Sequence, residues 1–155
     1  MLVFLDIDGV IVPAKGWKSP EMLADGFPAF SSKATFMFRK LIANGGTVLL
    51  TTSHKAKFSL GEWKTIFSRR DIAVEKLYCL PPNTSNLTRF GEIVDWFNVN
   101  NVTEPFIIID DDKSLNALPD FLKKHLVLTS PYIGLTEEHQ ALIDNILTDQ
   151  ALVKA

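Results

Sequence analysis

The chain has 155 residues, enough for one domain whose core buries most of its apolar surface. Hydrophobic residues at 46% and charged residues at 22% are ordinary for a globular domain, and no apolar run approaches the ~18 residues of a membrane span, so no membrane partner is expected. The net charge of −2 gives no overall footprint for nucleic acid and leaves such a partner only a local patch.

Leu2–Ile7 is an apolar run interrupted by Asp6, and it reads as a strand buried on both faces with acids at its carboxyl end. The start has no basic flank and meets Asp6 and Asp8 early, which argues against a signal peptide. Residues 10–30 carry Pro13, Pro20 and Pro28 and read as an irregular flap, too short for a separate domain. Within it Trp17, Phe27 and Phe30, with Lys15 and Lys18, read as the anchor of a structured loop; stacking and charge pairing with a substrate is the other reading.

Ser31–Asn44 carries Ala34, Met37, Phe38, Leu41 and Ile42 at helical spacing and ends on Gly45 and Gly46. Thr47–Leu50 is the second strand, followed by Thr51, Thr52 and Ser53. Ser59 with Glu62 forms a capping-box pattern that opens a helix on Leu60, Trp63, Ile66 and Phe67. Val74–Leu80 is a third strand, stopped by Pro81 and Pro82 and holding the lone cysteine, Cys79, as a buried residue. One cysteine allows no intrachain disulfide, which fits a reducing cytoplasm. Thr88–Asn98 is a helix with Phe90, Ile93, Val94 and Phe97 on one face. Phe106–Ile109 is a fourth strand, followed at once by Asp110, Asp111 and Asp112, and Leu126–Leu128 is a short fifth. Thr136 caps a last helix with Leu142, Ile143, Ile146 and Leu147 as its apolar face. His54, His125 and His139 read as surface or strand-end residues, and Trp63 and Trp96 as helix packing.

Alternating strands and helices predict a single Rossmann-like α/β domain over residues 1–155, with an open, mostly parallel sheet of about five strands and no large cap. Ligands bind such sheets at the carboxyl ends of the strands. Asp6 and Asp8, Thr51 to Ser53, and Asp110 to Asp112 all fall at those ends. Converging carboxylates repel one another unless a cation sits among them, and an all-oxygen set suits magnesium. The same cation neutralises phosphate oxygens, so a phosphoester substrate follows. Asp6 and Asp8 face the same way in an extended chain, so one can attack phosphorus while the other handles a proton on the leaving oxygen. Gly9 permits a sharp turn and a close approach of phosphate to backbone amides. Taken alone, Thr51 to Ser53 would only end a strand, and Asp110 to Asp112 would only start a helix.

FLDIDGVIV resembles the first motif of the haloacid dehalogenase (HAD) superfamily, TVLLTTSH its second and FIIIDDD its fourth. TTSHK, RFGEIVDWF, IIIDDD and HLVLTSPYIGLTEEH further resemble the small HAD domains of bacterial and phage RNA-repair proteins, with His54 where tryptophan is usual. The resemblance implies a magnesium-dependent phosphatase with Asp6 as nucleophile and Asp8 as general acid/base. It implies magnesium held by Asp6, the Asp8 main-chain carbonyl and Asp110, with Asp111 beside them. It points to Thr52 as the second-motif hydroxyl with Thr51 as the alternative, and to Gly9, Thr51 and Ser53 around the substrate. Arg89 is the preferred third-motif basic residue, Lys76 the runner-up, and Lys113 follows the acids too closely. An uncapped site suits a bulky phosphoester such as a nucleic-acid end. The competing readings are a catalytically inactive HAD-like interaction module and a receiver-like phosphoacceptor domain. A receiver places its phosphorylated aspartate after strand three, where this chain has Leu80-Pro81-Pro82.

Overall fold

The computed structural model describes residues 1–14 and 19–154. Five strands form one sheet: β1 Leu2–Leu5, β2 Thr47–Leu50, β3 Lys76–Cys79, β4 Phe106–Asp110 and β5 Leu126–Leu128. Their spatial order is β3-β2-β1-β4-β5 and every pairing is parallel. The chain winds outward from β1 on one side and from β4 on the other, so the topological switch point lies between those two strands. Leu5 pairs with Ile109, which sets Asp6 beside Asp110 at the carboxyl edge.

The two-residue strand period divides the core. Val3, Leu5, Val48, Leu50, Ile107 and Ile109 face one side, where they meet Met37 and Phe38 of α1 (Ser32–Ile42), Trp63 and Phe67 of α2 (Leu60–Ser68), and Ile143 and Ile146 of α5 (Gln140–Lys154). Phe4, Leu49 and Ile108 face the other, against Ile93 of α3 (Arg89–Val99) and Leu122 of α4 (Asp120–Lys123). Each such fully buried side chain contributes about 1.5–3 kcal/mol, so the central strands are the most firmly held part of the fold. The helices begin where polar caps predict: Ser31 accepts from the Ala34 N–H, Ser59 and Glu62 form both bonds of a capping box, and Thr88 accepts from Gly91.

Several elements differ from the sequence expectation. β3 is shorter than Val74–Leu80 because it is an edge strand: Lys76 and Tyr78 face solvent and only Leu77 is fully buried. Cys79 is therefore half-buried rather than buried, and partial burial still pushes its thiol up in pKa, away from reactivity. A 3₁₀ turn at Lys113–Ala117 and α4 fill the link from β4 to β5, where no element was expected; Leu115, Leu118 and Leu122 carry their packing. Thr136 caps a 3₁₀ turn, Glu137–His139, before α5 begins, and Leu142 stands 43% exposed instead of on the buried face. His125, directly before β5, is buried and stacked on Phe106 with ring centroids 3.8 Å apart, so it is the strand-end residue of the two readings and not a surface one.

The flap has order of its own. Ile7–Val12 turns tightly, with the Ile11 and Val12 N–H groups both donating to Ile7 O, and Met22 bridges Pro28. Arg70, after α2, anchors this segment: its guanidinium donates to both Asp25 oxygens at 2.7 and 2.9 Å and to Phe27 O and Pro28 O, while it lies over the Phe27 and Phe30 rings. These bonds hold the Asp25 carboxyl down to about 2. Phe27 is buried and Phe30 packs on the core, while Lys15, Trp17 and Lys18 lie outside the described residues.

Candidate active site

Asp6, Asp110 and Asp111 come together at the switch point, each offering an oxygen within 4.8 Å of the others. Asp6 follows β1 and Asp110 ends β4, so the parallel register itself creates the cluster. Asp6 Oδ1 accepts from the Ile7 N–H at 2.9 Å, and Asp110 Oδ1 from the Asp112 N–H at 3.0 Å. Gly9 sits against Asp111: at φ +78° it is in the left-handed region, and a Cβ there would collide with the Asp111 carboxylate. Asp112 turns away and caps the following 3₁₀ turn by accepting from the Ser114 N–H at 2.9 Å. Two of the three consecutive acids thus serve the cluster and the third serves the backbone.

Among the described residues Arg89 is the cation in contact with this cluster. It opens α3, and Nη1 lies 2.7 Å from Asp110 Oδ2, 3.3 Å from Asp6 Oδ1 and 3.5 Å from Thr51 Oγ1. Burial opposes its charge, but Asp110 and Asp6 outweigh it and hold the guanidinium above its ordinary range. Among the described residues its Nε is buried without a hydrogen-bond partner, a condition that costs about 1–3 kcal/mol unless an anion or solvent meets it. One guanidinium does not neutralise the cluster. Burial first, then the Asp110 charge, pushes the Asp6 carboxyl up to about 8 despite Arg89, and burial raises Asp110 as well. A buried, crowded, all-oxygen donor set with surplus negative charge fits a hard divalent cation.

Asp8 behaves differently. Its side chain is 58% exposed at the rim, and Oδ2 lies 2.6 Å from His54 Nε2. Behind Asp8, the buried Thr129 hydroxyl donates to Gly9 O at 2.7 Å and ties the turn to the end of β5. The hydroxyls after β2 divide: Thr51 faces Arg89, whereas Thr52 Oγ1 accepts from the His54 N–H at 3.2 Å and keeps its own O–H to donate. Both are buried, and Ser53 is exposed. Lys76 lies at the amino end of β3, paired in register with Thr47, at the opposite sheet edge from the acids. Lys113 is exposed in the 3₁₀ turn.

One pair beside the site was given no role from sequence. Lys55 Nζ lies 2.7 Å from Glu92 Oε2, and both side chains are at most 10% exposed. Glu92 stands three residues after Arg89 on the same helical face, so the R-x-x-E spacing in RFGEI was the available signal.

A parallel sheet with carboxylates and a guanidinium gathered at its switch point marks a Rossmann-like α/β domain of the HAD type. Residues 2–140 match the family described as the HAD domain in Swiss Army Knife RNA repair proteins, and the chain belongs to that family. No curated protein matches the chain by sequence. Among the described residues no helix is long and apolar enough to cross a membrane.

Proposed function

We propose that this domain is a magnesium-dependent phosphomonoesterase that works through an aspartyl-phosphate on Asp6. The observation that carries the reading is the meeting of buried Asp6 and Asp110 and half-buried Asp111 with Arg89 at the switch point, while Asp8 stands two residues away in solvent. Asp6, Asp110 and Asp111 would hold the magnesium, joined by the Asp8 main-chain carbonyl as the family resemblance implies. When bound, the ion supplies neutralisation of carboxylate and phosphate oxygens.

The chain's own groups then divide the work. An Asp6 oxygen attacks phosphorus, and the bond from phosphorus to the leaving oxygen breaks with its electron pair on that oxygen. Asp8 delivers a proton there. In the second half a water oxygen attacks phosphorus, Asp8 takes the water proton, the bond from phosphorus to Asp6 breaks, and inorganic phosphate leaves. The Arg89 guanidinium and the Thr51 hydroxyl, 3.5 Å apart, hold phosphate oxygens, with the Thr52 O–H as a further donor. Gly9 keeps the entrance clear beside Asp111.

The rim at Asp8 and Ser53 is open, which supports a bulky phosphoester, and membership of a family described from RNA repair proteins supports a phosphorylated nucleic-acid end. The lone free thiol supports a reducing, cytoplasmic setting. Rapid-quench mass spectrometry with phosphorylated oligonucleotides, nucleotides and phosphopeptides tests the reading. A transient phosphate on the peptide containing Asp6, formed with magnesium and lost in EDTA, is expected. Turnover undiminished in excess chelator, or label on Asp110 or a histidine, overturns it.

A further inference from the structure

We propose that His54 is a positioning residue that orients Asp8 for proton transfer; this rests on the reading of Asp8 as the acid/base. Asp8 is the most exposed acid at the site, and an exposed carboxylate on a turn rotates freely unless something holds it. The His54 contact at 2.6 Å is short enough for a strong, charge-assisted bond, and it is made to Oδ2. Oδ1 is then left to serve the leaving-group oxygen.

His54 is itself fixed from two directions. Its N–H donates to the Thr52 hydroxyl, which ties it to the end of β2. Its ring meets Phe27 edge-on, with centroids 6.0 Å apart at 89°, and Phe27 packs in turn on Phe58 and Trp63. Phe27 belongs to the flap and is held there by the Arg70 and Asp25 anchor. The imidazole therefore joins Asp8 to both the sheet edge and the flap, across 46 residues of sequence. Reaction geometry is sensitive to such support, since a misplaced catalytic group loses much of its effect.

The test uses two probes with the same ring, 4-nitrophenyl phosphate and 4-nitrobenzyl phosphate. The phenolate leaves with little protonation, whereas the benzylic alkoxide needs the proton from Asp8. In single-turnover rapid quench, which isolates formation of the aspartyl-phosphate, His54→Asn, too short to reach Asp8, should lower the rate on the benzyl ester by about 10- to 100-fold and on the phenyl ester far less, with substrate affinity little changed. His54→Gln, whose amide nitrogen reaches nearly as far as Nε2, should restore most of the loss. In an Asp8→Asn background His54→Asn should add nothing. Equal losses on both esters in this first step, a change confined to substrate affinity, or a faster first step in His54→Asn overturns the proposal. If Asp8→Asn alone turns over both esters at the wild-type rate, the reading of Asp8 fails instead.

Discussion

Asp6 and Asp8 are two residues apart and carry the same functional group, yet they occupy opposite media. Asp6 is 5% exposed among two other carboxylates and a guanidinium, while Asp8 projects from the rim and meets one imidazole. A crowded, desolvated carboxylate suits attack on a phosphorus atom delivered to it, and an accessible one suits exchange of protons with water. The sheet decides which is which: β4 covers the residue directly after β1 and leaves the turn beyond it uncovered.

Substitutions at the two acids are the most direct way to break this comparison. Asp6→Asn should reduce turnover to background, because an amide is a very poor nucleophile, and the quench experiment should find no phosphorylated peptide. Asp8→Asn should slow turnover by roughly 10²–10⁴-fold in a protein with unchanged circular dichroism. Equal losses from the two variants would remove the division of labour. A smaller effect, on stability, is expected at the flap. Arg70→Ala strips Asp25, Phe27 O and Pro28 O of their donors and should lower the unfolding free energy by about 2–4 kcal/mol in a denaturant titration.

A further expected effect is on pH dependence. The Asp6 carboxyl lies near 8 in the folded chain against 3.8 in its ordinary state. Below about pH 4 both folded and unfolded chains keep the proton. Above that the unfolded chain releases it first, so the stabilisation is lost progressively as pH rises through about 8. Thermal melts in EDTA should show Tm falling over this window. Asp6→Asn should flatten the profile and be at least as stable as wild type at pH 8. A wild-type Tm that rises steadily from pH 4 to 8 in EDTA would place Asp6 in a less crowded environment than the structure gives it.

What could be read from the sequence was local, and what could not was distant. The central strands, the Ser59–Glu62 capping box and the acids at strand ends follow from period, composition and short spacing, and each appears where expected. The pairs that hold the site's periphery join residues far apart: Lys55 with Glu92, Asp25 with Arg70, and Asp8 with His54. No local pattern specifies such pairs. The preference for Thr52 over Thr51 met a different limit: both are buried, and the rotation of the chain leaving β2 turns the Thr51 hydroxyl to Arg89 and the Thr52 hydroxyl to the His54 N–H. The 43% exposure of Leu142 shows the same limit, since helical spacing finds a stripe but not its edges.

The strand order also fixes when the site can come into being during synthesis. β1, β2 and β3 are neighbours made from roughly the first half of the chain, so they can pair as they emerge from the ribosome. β4, however, completes its pairing with β1 only once residue 110 has been made. Until then β1 is an edge strand and Asp6 lacks the Asp110 neighbour that helps raise its carboxyl. The raised Asp6 carboxyl is therefore a product of the long-range closure of the sheet, and a chain stalled before β4 carries the DxDG turn without Asp110 and Asp111 beside it.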